Sequence, residues 1–464
     1  MIFSKCFCPC SVSNNYTGAY GNLTNIKFPH NSNDIQITAY LCELPSLDVS
    51  MLSGMTYLNI RNNTNLTDFT IRENHTPPLA IIAYDCNIQG NKDLTMCEGL
   101  RYLQMFNNSN LTGVDFIAST EEIERIQLYS CNLTGTLDIS MLTMLGHGDP
   151  NDLATITKDG AWFDISYNPN LTNLTHPPHT KLMRNFNINH CGFSGHLDLS
   201  TYSIGVGKTG SSNTHEGEVD ISSLPNVTTV TPPHVPTYIR RFVCSHSGVE
   251  HLDFTTMDVG APQATDLAGD RGWENASENY GFEVHNNSSL TGVTHGVYSR
   301  QINKYQLHNN DITGTLDISS LSGLRWKIRV HDNPNLTDIL FPTSTEDFYD
   351  SSTQTYNHAL QLNDCSLGYV DFSPLAGATL NNGATTSTKY ATIHLENNGM
   401  SATDVNHILV DFATIAANNS PRWDNVTLII DGSNAAPDGT SGGYDGVSAM
   451  NTLTNTHHWI ITTS

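Results

Sequence analysis

Cations are scarce in this chain. Its 464 residues include 21 Lys and Arg, none of them in a run, against 45 Asp and Glu, for a formal net charge of −24. A nucleic-acid binder needs cationic side chains to displace counterions from phosphates, so nucleic acid and anionic membrane surfaces are discounted as partners. Long apolar runs are missing as well: no stretch approaches the roughly 18 residues of a membrane span. The opening MIFSKCFCPCSVSNNYTGAY has one Lys and no sustained apolar core, which makes a poor secretory signal. Either the chain does not use that export route or a leader has been trimmed. No G-x-S-x-G, H-E-x-x-H or P-loop is present, and no pair of acids is distinguished by its setting. The hydrophobic fraction, 38%, is low for a compact globule. Such a chain folds if each short unit buries a few apolar side chains against its neighbours.

Short units are what the sequence contains. Two kinds of segment alternate, one like IQLYSCNLTGTLDISML from Ile126 and one like IRVHDNPNLTDILF from Ile328. Each begins apolar, any, apolar, two polar residues, then Asn or Cys. That last slot falls at Tyr20 (a weak first unit), Cys42, Asn63, Cys86, Asn108, Cys131, Asn168, Cys191, Leu224, Ser247, Asn287, Asn310, Asn333 and Cys365. The uninterrupted intervals cluster at 22 and 23 residues, as from Asn287 to Asn310 to Asn333. In the Cys kind the next apolar residue comes two positions later (Cys131 to Leu133), in the Asn kind three (Asn333 to Leu336). The apolar pair, such as Tyr305 and Leu307, has the period of a half-buried strand. A buried Asn where the chain leaves that strand is expected to bond backbone groups of its own turn and of the next coil. Cys fills the same volume with a weak donor.

The pattern L-x-x-L-x-L-x-x-N/C-x-L is met by Ile123, Ile126, Leu128, Cys131 and Leu133. In this the chain resembles the leucine-rich-repeat family over roughly residues 20 to 400. It departs from helix-backed members because the returning segment reads LTGTLDIS. The NPNLT and NLTGTLDIS phrases resemble repeats of bacterial surface proteins and of phage or viral virion proteins. The expected fold is mainly β: a leucine-rich-repeat-like right-handed solenoid of about fourteen coils with a small α/β C-terminal cap. Residues 1–22 form an N-terminal arm, 23–400 the solenoid and 401–464 the cap. In the cap, Ser401 to Ala416 reads as an amphipathic helix burying Val405, Ile408, Leu409 and Phe412. Val426 to Asp431 reads as a strand, Gly446 to Leu453 as a short helix and Trp459 to Thr463 as a last strand. Insertions near 143–160, 201–217, 256–279, 341–357 and 376–389 read as loops, either tolerated surface excursions or part of a binding face.

Cys42, Cys86, Cys131, Cys191 and Cys365 hold slot positions and Cys244 an apolar core position, so these six are expected free and buried, as in a reducing compartment. Cys6, Cys8 and Cys10 make a C-x-C-x-C that is a metal clip, an intersubunit disulfide or simply terminal thiols; Cys97 has no assignment. Asn22, Asn65, Asn110, Asn132, Asn170 and Asn335 each begin Asn-Leu-Thr, but the repeat accounts for them and no glycosylation is inferred.

Stacking turns each outward position into a column of side chains. Four residues before the slot lie Asn59, Gln104, Gln127, Asp164, Asn187, Asp220, Glu283, Gln306, Arg329 and Gln361. Two residues before it lie Tyr40, Arg61, Tyr84, Phe106 and Tyr129, then Ser166, Asn189, Ser222 and Ser245, then His285, His308 and His331. Aromatic rings beside amides suit sugar binding, and they equally suit plain sheet stabilisation. The three histidines either share a divalent metal, with Asp332 nearby, or form a bare imidazole ladder sensitive to mild acid. No other cofactor is implied. The reading favoured is a non-enzymatic structural and binding protein on a virion or cell exterior, such as a phage or viral fibre, spike or decoration component that contacts a host glycan or other protein subunits. The alternatives are a bacterial cell-surface adhesin, a self-assembling filament subunit or homo-oligomer, and a polysaccharide-degrading enzyme.

Overall fold

The fold was described from a computed structural model, which covers residues 11–12, 35–73, 79–146, 161–205, 217–235, 238–257, 259, 281–297, 302–343, 359–380 and 391–464. Tyr20, Cys6, Cys8, Cys10 and most of the five insertions lie outside the described residues. The protein is mainly β, with long parallel ladders and two α-helices. The chain divides into two compact units, Met1–Asn226 with Pro233–Thr237, and Val227–Pro232 with Tyr238–Ser464.

In the first unit the apolar-any-apolar segments form one parallel ladder. Its strands are Ile35–Thr38, Met55–Asn59, Leu79–Ile82, Leu100–Gln104, Arg125–Gln127, Ala161–Asp164, Leu182–Asn187 and Glu218–Asp220, each paired with the next. The LTGTLDIS-like segments pair separately, Ser46–Asp48 with Asp68–Thr70, Gln89–Asp93 with Asn110–Asp115, and Gly135–Asp138 with Leu171–Thr175. Two parallel ladders thus alternate along the chain. Inward residues of the main ladder, Leu58, Ile60, Ile81, Leu103, Ile126, Phe163 and Phe186 among them, are fully buried, as are Leu47, Phe69, Leu137 and Leu174 from the second. The core is the layer that these two sets fill.

The second unit repeats the plan. Its main ladder runs Arg241–Val243, Gly281–Glu283, Ile302–Gln306, Leu324–Arg329, Leu360–Gln361 and Thr392–His394. Phe254, on the second-ladder strand His251–Phe254, meets Phe242 and Phe282 of the main ladder at ring distances of 4.9 and 4.8 Å. The main ladder does not stop where the sequence pattern changes after Asn398. Thr427–Ile430 and Ile460–Thr463 extend it in the same parallel sense. Here helix α1, Ala402–Asn419, supplies the apolar layer through Val405, Ile408, Leu409, Phe412, Ile415 and Ala416. Ser401 and Asp404 close a reciprocal capping box at its start. Helix α2, Gly446–Thr456, is capped by Asp445, which accepts from Ser448 N at 2.9 Å. Among the described residues no helix is long and apolar enough to cross a membrane.

The slot asparagines bond as expected within their own turn, but they reach back to the preceding repeat rather than forward. Asn168 Nδ2 donates to Leu128 O and Ile165 O at 2.9 and 2.8 Å, and its Oδ1 accepts from Leu133 N at 3.0 Å. Asn63, Asn108, Asn333 and Asn398 do the same, and Asn434 continues the series by bonding Leu395 O. Cysteine supplies only the donor: Cys86, Cys131 and Cys191 each give Sγ–H to a carbonyl of the preceding repeat at 3.2 Å. The two apolar spacings have a local cause. After Asn the chain makes a tight turn, with Leu171 N donating to Asn168 O and Leu336 N to Asn333 O, which puts the next apolar residue three positions on.

One backbone feature recurs without exception. The residue just before the slot is left-handed at all fourteen described slots from Cys42 to Asn398, with φ between 52° and 59°. Twelve of the fourteen are Asn, Asp, Ser or His; Leu41 and Tyr167 are the others. Asn and Asp bear this conformation at least cost among side-chain-bearing residues, because their short polar groups bond locally.

Candidate functional site

Three side-chain columns, not two, stand on the outer face of the main ladder. Besides the positions two and four before the slot there is a third, six before it. In the first unit it runs Tyr57, Ala80, Tyr102, Arg125, Trp162, Asn185 and Glu218, in direct register from strand to strand. The period-two alternation, carried one step further back, contained the signal for it.

Tyr40, Arg61, Tyr84, Phe106 and Tyr129 form one continuous stack. The guanidinium of Arg61 lies 5.2 Å from the Tyr40 ring and 5.7 Å from the Tyr84 ring, and it donates to Tyr84 Oη at 2.9 Å. Tyr84, Phe106 and Tyr129 follow at 4.3 and 4.4 Å, within 10° of parallel. Each stacked pair contributes roughly 0.5–1.5 kcal/mol beyond its buried area. The same stacking uses up the ring faces. Tyr84 and Phe106 present only edges to solvent, so neither offers a sugar a flat platform. Tyr129 keeps one face, over the small Ser166 of the next repeat. Beside the stack, Gln104 Nε2 donates to Gln127 Oε1 at 2.6 Å, the one amide rung formed directly among the described members of that column in this unit.

At the repeat that follows Tyr129 the face changes character. Trp162 takes Arg125 over one side of its ring, 5.1 Å from guanidinium to centroid. Beyond it the three columns become small and polar: Asn185, Glu218, Asp164, Asn187, Asp220, Ser166, Asn189 and Ser222. A cavity of about 170 Å3 opens there, lined by Trp162, Asp164, Asn185, Phe186, Asn187 and Glu218. Asn185 Oδ1 is buried with no hydrogen-bond partner among the described residues. Asp164 spends Oδ1 on Ser166, accepting from its N at 3.0 Å and its Oγ at 2.6 Å. Burial pushes the Asp164 carboxyl above the usual carboxylate range; the Ser166 bonds oppose that, and the charge of Asp220 adds to it. Asn189 Nδ2 donates to Asp220 Oδ2 at 2.8 Å. The site thus combines an aromatic wall with carboxylate and amide acceptors. Asp164 and Asn187 were legible as candidates from the sequence; Trp162, Asn185 and Glu218 were not.

The candidate residues of the second unit fall elsewhere. His285, His308 and His331 do stack, with ring centroids 4.6 and 4.8 Å apart and planes within 17°. A metal needs lone pairs that converge at about 2.0–2.1 Å. Parallel imidazoles direct theirs side by side, and the described residues include no group of three ligands arranged for a metal. His331 Nδ1 bonds Asp332 Oδ2 at 2.6 Å, whereas His308 Nδ1 is buried with no hydrogen-bond partner among the described residues. Burial, then the flanking imidazoles, push His308 down to about 3. Gln306 is buried between its register partners Glu283 and Arg329, and Gln361 pairs in register with Arg329 and His394. A further stack that the sequence did not announce sets His407 of α1 between Tyr369 and Tyr444 at 3.8 and 4.0 Å.

No family model, curated protein or solved structure matches the chain. Function has to be argued from the face itself.

Proposed function

We propose that the chain is a leucine-rich-repeat-like right-handed solenoid that serves as a non-enzymatic binding scaffold on a virion or cell exterior, and that it contacts a glycan on the outer face of its first unit. The two alternating ladders, the repeated slot bonds and the recurrent left-handed residue support the solenoid. The observation that carries the glycan reading is the cavity where the aromatic stack ends. There the Trp162 ring wall meets the carboxylates and amides of Asp164, Asn187 and Glu218, groups that sugar hydroxyls satisfy. The sugar contact therefore moves from the interior of the Tyr84 column to its end. A glycan array tests this. Trp162→Ala and Asn185→Ala abolish binding, while Tyr84→Ala, whose ring faces are already occupied, leaves specificity unchanged. Equal binding by all three variants and the parent overturns the assignment.

A second reading rests on Asp164. Its raised carboxyl lies two strands from Asp220 in one column, a separation of about 9.5 Å from the strand spacing. That is at the wide end for a pair that hydrolyses glycosides with inversion. Release of reducing ends from a polysaccharide by the purified chain, lost in Asp164→Asn, would establish this reading; an unchanged substrate after prolonged incubation dismisses it.

A further inference from the structure

We infer that Gln306, Arg329 and Gln361, in one column on the outer face of the second unit, form a receptor for the carboxylate of an acidic sugar, a uronate. This goes beyond the glycan reading above and uses no residue of the first-unit cavity.

The first observation is a cation that the fold leaves unpaired. Arg329 ends the strand Leu324–Arg329. Its Nε is buried with no hydrogen-bond partner, and no ion pair or hydrogen bond reaches its guanidinium, among the described residues. Other arginines on the outer faces are engaged: Arg61 between Tyr40 and Tyr84, Arg125 on Trp162, and Arg241 with Glu283 at 2.6 Å. The described acids around Arg329 are engaged too. Glu283 holds Arg241 and Lys304, Asp332 holds His331, and Glu396 holds His394 at 2.9 Å. The chain has 45 Asp and Glu against 21 Lys and Arg. A guanidinium that none of the described acids takes is open to an acid from outside. Its charge is felt by His285 and His308, whose protonation it disfavours.

The second is what flanks it. Gln306 and Gln361 are the register partners of Arg329 on the strands to either side. Neither side-chain amide makes a hydrogen bond among the described residues, whereas Gln104 and Gln127 bond each other. Adjacent strands are about 4.8 Å apart, so an anion over Arg329 has an amide within reach on both sides. A carboxylate offers about four lone-pair sites. The guanidinium fork fills two, and the two amides fill the others.

The third is what carries the carboxylate. The strand of Arg329 is paired on both sides, so a peptide finds no free backbone edge to extend. Its outward neighbours Lys304, His308, Lys327, His331 and Asn363 are polar, so no apolar groove receives a helix. A uronate brings hydroxyls beside its carboxylate, and these meet the imidazoles and amides around Arg329.

Ligand-observed NMR titrations of the full chain at neutral pH test this with digalacturonate, its uncharged dimethyl ester, and N-acetyl-aspartamide. Digalacturonate is expected to bind about tenfold or more tighter than either of the others. Arg329→Gln is expected to lose that advantage. Arg329→Lys, which keeps the charge but not the fork, should retain only part of it. Trp162→Ala should leave it unchanged. Equal affinity for digalacturonate and its ester, or parent-like binding by Arg329→Gln, overturns the inference, as does absence of binding by all three compounds. N-acetyl-aspartamide matching digalacturonate overturns the assignment to a sugar. Loss of digalacturonate binding in Trp162→Ala, with Arg329→Gln unaffected, overturns this site and leaves the first-unit reading standing.

Discussion

Asn168 donates to the carbonyl of Leu128, forty residues earlier in the chain, at 2.9 Å. The same amide group also holds Ile165 O and accepts from Leu133 N. One buried side chain therefore bonds four backbone groups on two repeats, Ser166 O at 3.1 Å being the fourth. Removing it strands Leu128 O and Leu133 N, at roughly 1–3 kcal/mol for each buried group left unpaired, while Ile165 O keeps the Cys191 thiol. Asn168→Ala is expected to cost about 3 kcal/mol or more in urea denaturation. Asn168→Cys restores a donor, as Cys131 and Cys191 do natively, and should cost visibly less. Equal losses for the two would mean that volume, not bonding, sets the slot.

The left-handed residue before each slot gives a prediction of opposite sign at two sites. Leu41 has φ 55° and Asn286 has φ 59°. A side chain without a local hydrogen bond costs about 1–2 kcal/mol in this conformation. Leu41→Asn should therefore raise the thermal midpoint, and Asn286→Val should lower it. A fall in both variants would contradict the backbone account.

Acid should weaken the second unit before it titrates carboxylates. The ordinary imidazole value is 6.5; His308 is pushed down to about 3, His295 to about 4, and His285 is lowered, burial being the first cause in each. Between those values and 6.5 the unfolded chain binds protons that the fold refuses, so stability falls as pH falls through that window. The stack faces His246, Arg241 and Arg329, which disfavour its protonation, and Glu283, which favours it. Urea midpoints measured from pH 7.5 to 5 should drop in the parent and drop less in His308→Gln. Below that range Asp253 and Asp317, held low mainly by bonds from Thr255 and Ser319, add their own loss as they take protons.

The buried thiols should be silent. Burial pushes Cys86 up to about 11 and Cys97, Cys131, Cys191 and Cys365 to about 12. The thiolate is the reactive form. With Cys6, Cys8 and Cys10 replaced by serine, a chromogenic disulfide reagent at pH 8 should label the native chain far more slowly than the guanidinium-unfolded one. Prompt labelling would show that the slots open readily.

The ladder positions were legible because a slot residue recurs with polar and apolar neighbours at fixed offsets. The columns of Tyr84, Phe106 and Tyr129, and of His285, His308 and His331, followed from that register alone. What the register does not encode is orientation. Nothing in the spacing says that Tyr84 and Phe106 turn their faces to each other, or that Arg61 lies flat between two phenols. The cavity was missed for a related reason: Trp162 and Asn185 belong to a column set one step further from the marker, and a cavity is made by what is small beside what is large. The left-handed turn was hidden because Ser, His and Tyr share it with Asn and Asp.

The Asn168 clamp spans an interval of forty residues as readily as Asn310 spans its ordinary one, reaching Val284 O at 2.9 Å. Segment length and face register are therefore separable inheritances. Such a protein can acquire or shed a surface excursion in one lineage without disturbing the rings and amides on its outer wall, and can exchange a single wall residue without renegotiating its neighbours' backbone.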